Sequence, residues 1–270
     1  MVSKTASLFI LLSMLPLLIY GQNGNLTASK AYETIEDKIV GIWPHENKLF
    51  SKEKFKEVKE VWGFNYVLIP APYDKDVTSN AKFAGYDSVH IMKQIYLPDI
   101  AERPEWFWNN INELGKVWAY YFDEPISRNH SFMTFLKILT ELSDRGFYPH
   151  AKLIVSEIDE KKAGNVERFV DAIMYSGYGQ RENMGLDQVN SWHEWREYIG
   201  DKFSMLWIGA HEDFNEYRTL LSAAKEKGYN SIWLYQYEPM EADKEIGNDN
   251  LEKFCDAAVE FGFMKIKRKD

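Results

Sequence analysis

Val117-Trp118-Ala119-Tyr120-Tyr121-Phe122-Asp123-Glu124-Pro125 is an apolar, aromatic run that stops abruptly at two adjacent carboxylates and a proline. A short apolar run bounded by a turn signal reads as a strand. A helical pattern follows from Phe132 to Arg145, closed by Gly146, and then a second apolar run from Leu153 to Ser156. Strand, helix and strand in that order make a right-handed crossover, which lays the next strand parallel to the last.

The same alternation extends in both directions. On the N-terminal side, the run Ile39–Trp43 precedes a helical pattern from Ser51 to Trp62 with Phe55, Val58 and Val61 on one face. A second strand is predicted over Phe64–Ile69. The third spans Ser88–Met92, entered from a short helix that ends near Gly85, and a loop through Pro98 and Pro104 leads to a helix over Glu105–Leu114. On the C-terminal side, helices over Asn165–Val170, Leu186–Tyr198, Phe214–Lys227 and Leu251–Phe261 alternate with strands over Ala172–Tyr175, Ser204–Ile208 and Ser231–Tyr235. Eight alternations with no low-complexity linker predict an α/β fold, a single (β/α)8 TIM barrel over residues 38–265. The first strand-to-helix turn, Pro44-His45-Glu46-Asn47, lacks a glycine-rich phosphate cradle and no Walker-type loop occurs, so no nucleotide cofactor is expected.

Residues 1–21 combine Lys4 in a polar start, an apolar run from Leu8 to Tyr20 and the small Gly21, the pattern of a signal peptide. The apolar run is well short of the ~20 residues a spanning helix needs, so secretion or periplasmic export is expected, with no membrane span after cleavage. Residues 22–37 are polar and expected to be flexible. The remaining chain suits one barrel, expected to be a monomer. Cys255 is the only cysteine, so no internal disulfide can form. A net charge of −9 argues against nucleic acid as a partner, while a neutral carbohydrate substrate is compatible with it.

Active groups in such barrels come from the C-terminal strand ends and the loops just after them. Here those ends are acidic and aromatic. The substrate-binding candidates are Trp43, His45, Tyr73, His90, Glu157, Tyr175, Tyr178, Trp207, His211, Trp233 and Tyr237, with Lys93 beside His90. Aromatics make up 15% of the chain, and those within strands serve equally well as core. The catalytic candidates are Glu124, Asp123, Glu238 and Glu212. Glycoside hydrolysis needs a carboxylic acid to protonate the departing oxygen and a second group to attack, or to help attack, the anomeric carbon. Apolar neighbours and a nearby carboxylate would raise the Glu124 pKa and keep it protonated near neutral pH. Adjacent strand residues point to opposite faces, so Asp123 and Glu124 share the interior only if the chain bends at the tip. His90, His211, Glu212 and Asp213 show no His-x-His or His-Glu-x-x-His spacing, so no metal site is expected. A metal-assisted hydrolase or deacetylase would instead need His90 or His211 to converge with Asp213.

The ending Phe122-Asp123-Glu124-Pro125 resembles the catalytic strand of TIM-barrel glycoside hydrolases, and two groups share the likeness. In the clan typified by β-galactosidases and cellulases, an Asn-Glu-Pro ending on strand four supplies the acid/base and a Glu ending strand seven the nucleophile. Glu124 and Glu212 hold those places, with Asp123 where that clan has Asn. In the substrate-assisted hexosaminidases an adjacent Asp-Glu pair follows strand four. That resemblance implies Asp123 orienting the substrate's own 2-acetamido group and Glu124 acting as acid/base, with Tyr178 or Tyr237 holding the acetamido oxygen. Glu238, in Tyr235-Gln236-Tyr237-Glu238-Pro239, repeats the Glu-Pro ending on strand eight. A barrel that binds glycans without hydrolysing them is the alternative reading. It would lack a second carboxylate facing Glu124.

Overall fold

The computed structural model describes residues 30–43, 51–69, 75–114, 117–123, 125–126, 131–157, 160–175, 203–209, 214–235 and 248–268. In chain order the elements are β1 (Tyr32–Thr34), β2 (Ile39–Trp43), α1 (Lys52–Glu60), β3 (Tyr66–Ile69), α2 (Lys75–Phe83), β4 (Ile91–Ile95), α3 (Leu97–Glu102), α4 (Pro104–Leu114), β5 (Ala119–Asp123) and α5 (Phe132–Asp144). Then come β6 (Lys152–Glu157), α6 (Glu160–Val166), β7 (Ala172–Tyr175), β8 (Phe203–Gly209), α7 (Phe214–Glu226), β9 (Ser231–Tyr235), α8 (Asn248–Glu260) and β10 (Met264–Ile266). Strands β2 to β9 are parallel and close into a barrel, so the predicted (β/α)8 fold is the observed one. No helix among the described residues is long and apolar enough to cross a membrane.

Alternation along each strand divides the core in two. Val40, Ile42, Val67, Ile69, Tyr120, Phe122, Leu153 and Val155 face the helices. Trp43, Leu68, Met92, Tyr121, Ile154, Met174, Met205, Trp207, Trp233 and Tyr235 fill the barrel interior. The helices are cut to match. Ser51 caps α1 by accepting from the Lys54 N–H, and Phe55 and Val58 are buried. Ser131 caps α5 through the Thr134 N–H, and Phe135, Ile138 and Leu142 lie on its buried stripe.

Tyr32–Thr34, within the segment 22–37 expected to be flexible, form β1, and three elements of the barrel also differ from the sequence reading. The third barrel strand runs over Ile91–Ile95, preceded by a 3₁₀ turn at Ser88–His90, because Lys93 and Gln94 are buried although polar and the strand continues through them. The loop through Pro98 and Pro104 is largely helical, since a proline in the first turn sacrifices no helical hydrogen bond. The helix expected over Asn165–Val170 begins earlier, at Glu160, and ends in a 3₁₀ turn over Glu167–Phe169. The helix expected over Leu186–Tyr198 lies outside the described residues.

Strand β1 precedes the barrel and pairs antiparallel with β10, Tyr32 opposite Ile266. Tyr32 N–H donates to Val61 O, Ile35 N–H to Phe263 O, and the Thr34 hydroxyl to Gly63 O at 2.6 Å. Tyr32 Oη and Lys30 Nζ both reach Asp256 on α8. Because Val61 and Gly63 lie just before β3, this ribbon covers the N-terminal end of the barrel.

Following the strand pairings once around the barrel from Asp123 returns to position 115, a shift of eight residues. Eight strands with that shift tilt so that side chains at one height come from alternate strands, four to a layer. In one layer Trp233 lies across the axis above Gly41 of the next, where any Cβ would overlap the indole ring. Trp233 Nε1 donates to Ser231 Oγ at 3.0 Å. Gly41→Ala therefore forces the indole out of place and is expected to cost about 2 kcal/mol or more, the range of an overpacked core. Urea unfolding of the variant beside wild type measures this.

Candidate functional site

The layer nearest the C-terminal rim that is wholly described consists of Trp43 on β2, Gln94 on β4, Ser156 on β6 and Trp207 on β8. All four are buried. Asp123 and Tyr235 stand one level above it, at the ends of β5 and β9. The Trp43 ring lies 4.5 Å from that of Tyr235 and 5.3 Å from that of Trp207, and Trp207 and Tyr235 are 5.8 Å apart. These rings form an aromatic floor on one side of the mouth. Trp207 Nε1 is buried without an acceptor among the described residues.

Asp123 occupies the other side. It is half-buried, on the inner face by alternation from Ala119 and Tyr121. The Tyr121 hydroxyl approaches Asp123 Oδ1 at 3.0 Å and Ser156 Oγ at 2.7 Å, and Ser156 Oγ approaches the same carboxylate oxygen at 3.2 Å. Two hydroxyl protons serve these three contacts, so the carboxylate receives at least one of them and its rotamer is held. Strand β5 ends at Asp123, and the chain turns at Pro125 and Ile126.

Several expected site residues occupy other places. His90 lies before β4, at the N-terminal end of the barrel, because the strand starts at Ile91 and not at Ser88. Its ring packs edge-on against Tyr66 at 5.4 Å, and burial pulls its pKa below the usual histidine value, with Lys59 adding to the effect and Asp87 opposing it. Lys93 shares the outward register of Ile69 and Tyr120 and is buried beneath the helices. Trp233 is core, two residues below the end of β9. Glu157 ends β6 but takes the outward alternation, is fully buried, and accepts the Ile126 N–H at 2.8 Å. Trp43 and Trp207 do line the rim end of the interior. Tyr175 is the last residue of β7, paired in register with Glu157 and Leu206.

Glu124, Glu212, Glu238, His45, Tyr73, Tyr178, His211 and Tyr237 lie outside the described residues, as does Asp213. Among the described residues no three His, Cys, Asp or Glu side chains are grouped as metal ligands. Tyr121, Ser156 and Gln94 are not among the residues expected at the site. The first two carried a usable signal, for Tyr121 is two residues before Asp123 and Ser156 is the last residue of the neighbouring predicted strand.

No protein-family profile matches the chain, and no curated protein sequence matches it. Solved structures do resemble its fold. A xylanase-A-amylase inhibitor protein shares 13% identity at a TM-score of 0.54, over 82% of this chain and 98% of the other. An active-site mutant of a Rhizomucor miehei β-1,3-glucanosyltransferase, in complex with laminaritriose, shares 12% identity at 0.51, over 73% and 86%. Tryptophan synthase from M. tuberculosis shares 7% identity at 0.51, over 83% and 92%. These likenesses establish the barrel and leave the chemistry to the site.

His90 makes stability depend on pH in a defined direction. Its folded pKa is lowered, so below about 6.5 the unfolded chain binds the proton first and stability falls with falling pH until the folded value is passed. His90→Gln is expected to flatten the fall in urea midpoint between about pH 7 and pH 5. An equal slope in both proteins would assign the acid sensitivity elsewhere.

Proposed function

We propose that this chain is a secreted glycoside hydrolase acting on an oligosaccharide or polysaccharide. The observation that carries the reading is Asp123, held at the inner edge of the mouth by Tyr121 and Ser156 and facing the floor of Trp43, Trp207 and Tyr235. Aromatic faces suit the apolar faces of sugar rings, and the Trp207 N–H suits a sugar oxygen.

In this reading Glu124 gives its carboxyl proton to the departing glycosidic oxygen as the bond to the anomeric carbon breaks. Asp123 acts beside it in one of two ways. It orients a 2-acetamido group that attacks the anomeric carbon, or it tunes Glu124 while Glu212 or Glu238 serves as nucleophile or base. Where an intermediate forms, on the acetamido group or on a nucleophilic Glu, water then opens it and gives a proton back to Glu124; where Glu212 or Glu238 is a base, water attacks as the bond breaks, its proton goes to that base, and solvent exchange restores both carboxyls. With two enzyme carboxyls, a separation of ~5 Å gives retention and one of ~6.5–9.5 Å inversion.

The test is hydrolysis of a panel of aryl glycosides and N-acetylhexosaminides, with Glu124→Gln and Asp123→Asn beside wild type. Glu124→Gln is expected to lose ~100-fold or more in kcat/KM. Asp123→Asn distinguishes the routes, since only substrate assistance confines activity, and its loss, to the N-acetyl substrates. A wild type inert on this panel and on polysaccharides, yet binding a glycan equally well in all three forms, would make the barrel a glycan-binding protein.

A further inference from the structure

Ser156 and Glu157 are consecutive on β6 and point to opposite sides of the barrel wall. Ser156 faces inward and reaches Asp123 Oδ1 at 3.2 Å. Glu157 faces outward, fully buried, and its Oε1 accepts the Ile126 N–H at 2.8 Å. The two neighbours thus grip the chain on either side of one short stretch, at Asp123 and at Ile126. Three residue steps separate those points, at most ~11 Å of extended chain. Within that stretch Pro125, directly before Ile126, is itself buried.

A carboxylate taken wholly out of water is expensive, and one kept there is tied to partners. A backbone N–H outside regular structure likewise needs an acceptor once buried. The Glu157–Ile126 contact serves both groups. We infer that Glu157 is a positioning residue, whose buried carboxylate anchors the Pro125–Ile126 turn that follows Asp123 at the end of β5. Its contribution to turnover rests on the assignment of Glu124 as acid/base. The anchoring itself does not.

Glu157→Gln keeps an oxygen acceptor of similar size, and Glu157→Met removes it. A bond to a charged acceptor is about twice as strong as one to a neutral acceptor, so the two variants should form a graded series. Hydrogen exchange at the Ile126 amide is expected to quicken by about two- to fivefold in Glu157→Gln and by about tenfold or more in Glu157→Met, with exchange in β9 unchanged. On the substrate found with the panel above, kcat should fall in the same order while KM stays within about threefold, the signature of a displaced reacting group with binding intact. If the Met variant does not fold, the Gln variant decides the matter. Ile126 exchange equal to wild type would overturn the anchoring, and quickened exchange with unchanged kcat would overturn the positioning role. Quickened exchange in a protein inert on every glycan would leave the anchoring in place and remove the hydrolase reading.

Discussion

The Trp233 indole lies across the middle of the barrel because residue 41 has no side chain. Much of the interior follows from that contact. Trp207 packs beside Trp233 at 5.8 Å, Trp43 and Tyr235 rest against Trp207, and Tyr66 and Trp118 close on Trp233 from the N-terminal end. Barrels of this kind are more often filled by branched aliphatic side chains. Here large flat rings span the axis, and their packing gives the upper layers a rigid base. The two polar groups deepest in this stack, Trp233 Nε1 and Ser231 Oγ, satisfy each other.

Polarity inside the barrel is graded along its axis. The middle layers carry Trp233, Leu68, Met92 and Ile154. Gln94, Ser156 and Asp123 appear only toward the C-terminal end. The register of β5 and β6 accounts for the pairing of Asp123 with Ser156, which are direct neighbours across the two strands. Tyr121 is one turn of the pleat below and reaches both. The carboxylate is therefore oriented by side chains rooted in two adjacent strands, a stiffer support than a loop would give.

The strand count, the closure and most helix positions were legible because an apolar run bounded by a glycine or proline is a local signal. The face presented by each strand tip was legible only in part. Alternation from Ala119 places Tyr121 and Asp123 inward, whereas Glu157 looks like a rim acid until the phase of β6 is set by Ile154 and Ser156. His90 was misplaced for a related reason. The polar pair Lys93 and Gln94 breaks the apolar pattern in the second half of β4, so the pattern sets the strand too early and puts His90, which precedes it, near its C-terminal end. Lys93 is buried against the helix layer, an environment no periodicity announces. Pairing of β1 with β10 joins positions more than two hundred residues apart, and a three-residue strand carries almost no pattern of its own.

That ribbon governs how the molecule can be held. Tyr32 and Ile266 are side by side, so both ends of the described chain leave from one spot on the underside, opposite the aromatic mouth. A tether through either end, whether a surface or a fused domain, would present the mouth outward, away from the attachment. Joining the two ends by a short linker would leave the barrel wall and the grip of β6 on the β5 turn untouched, so a circularly permuted chain could open at a distant loop and keep the same site.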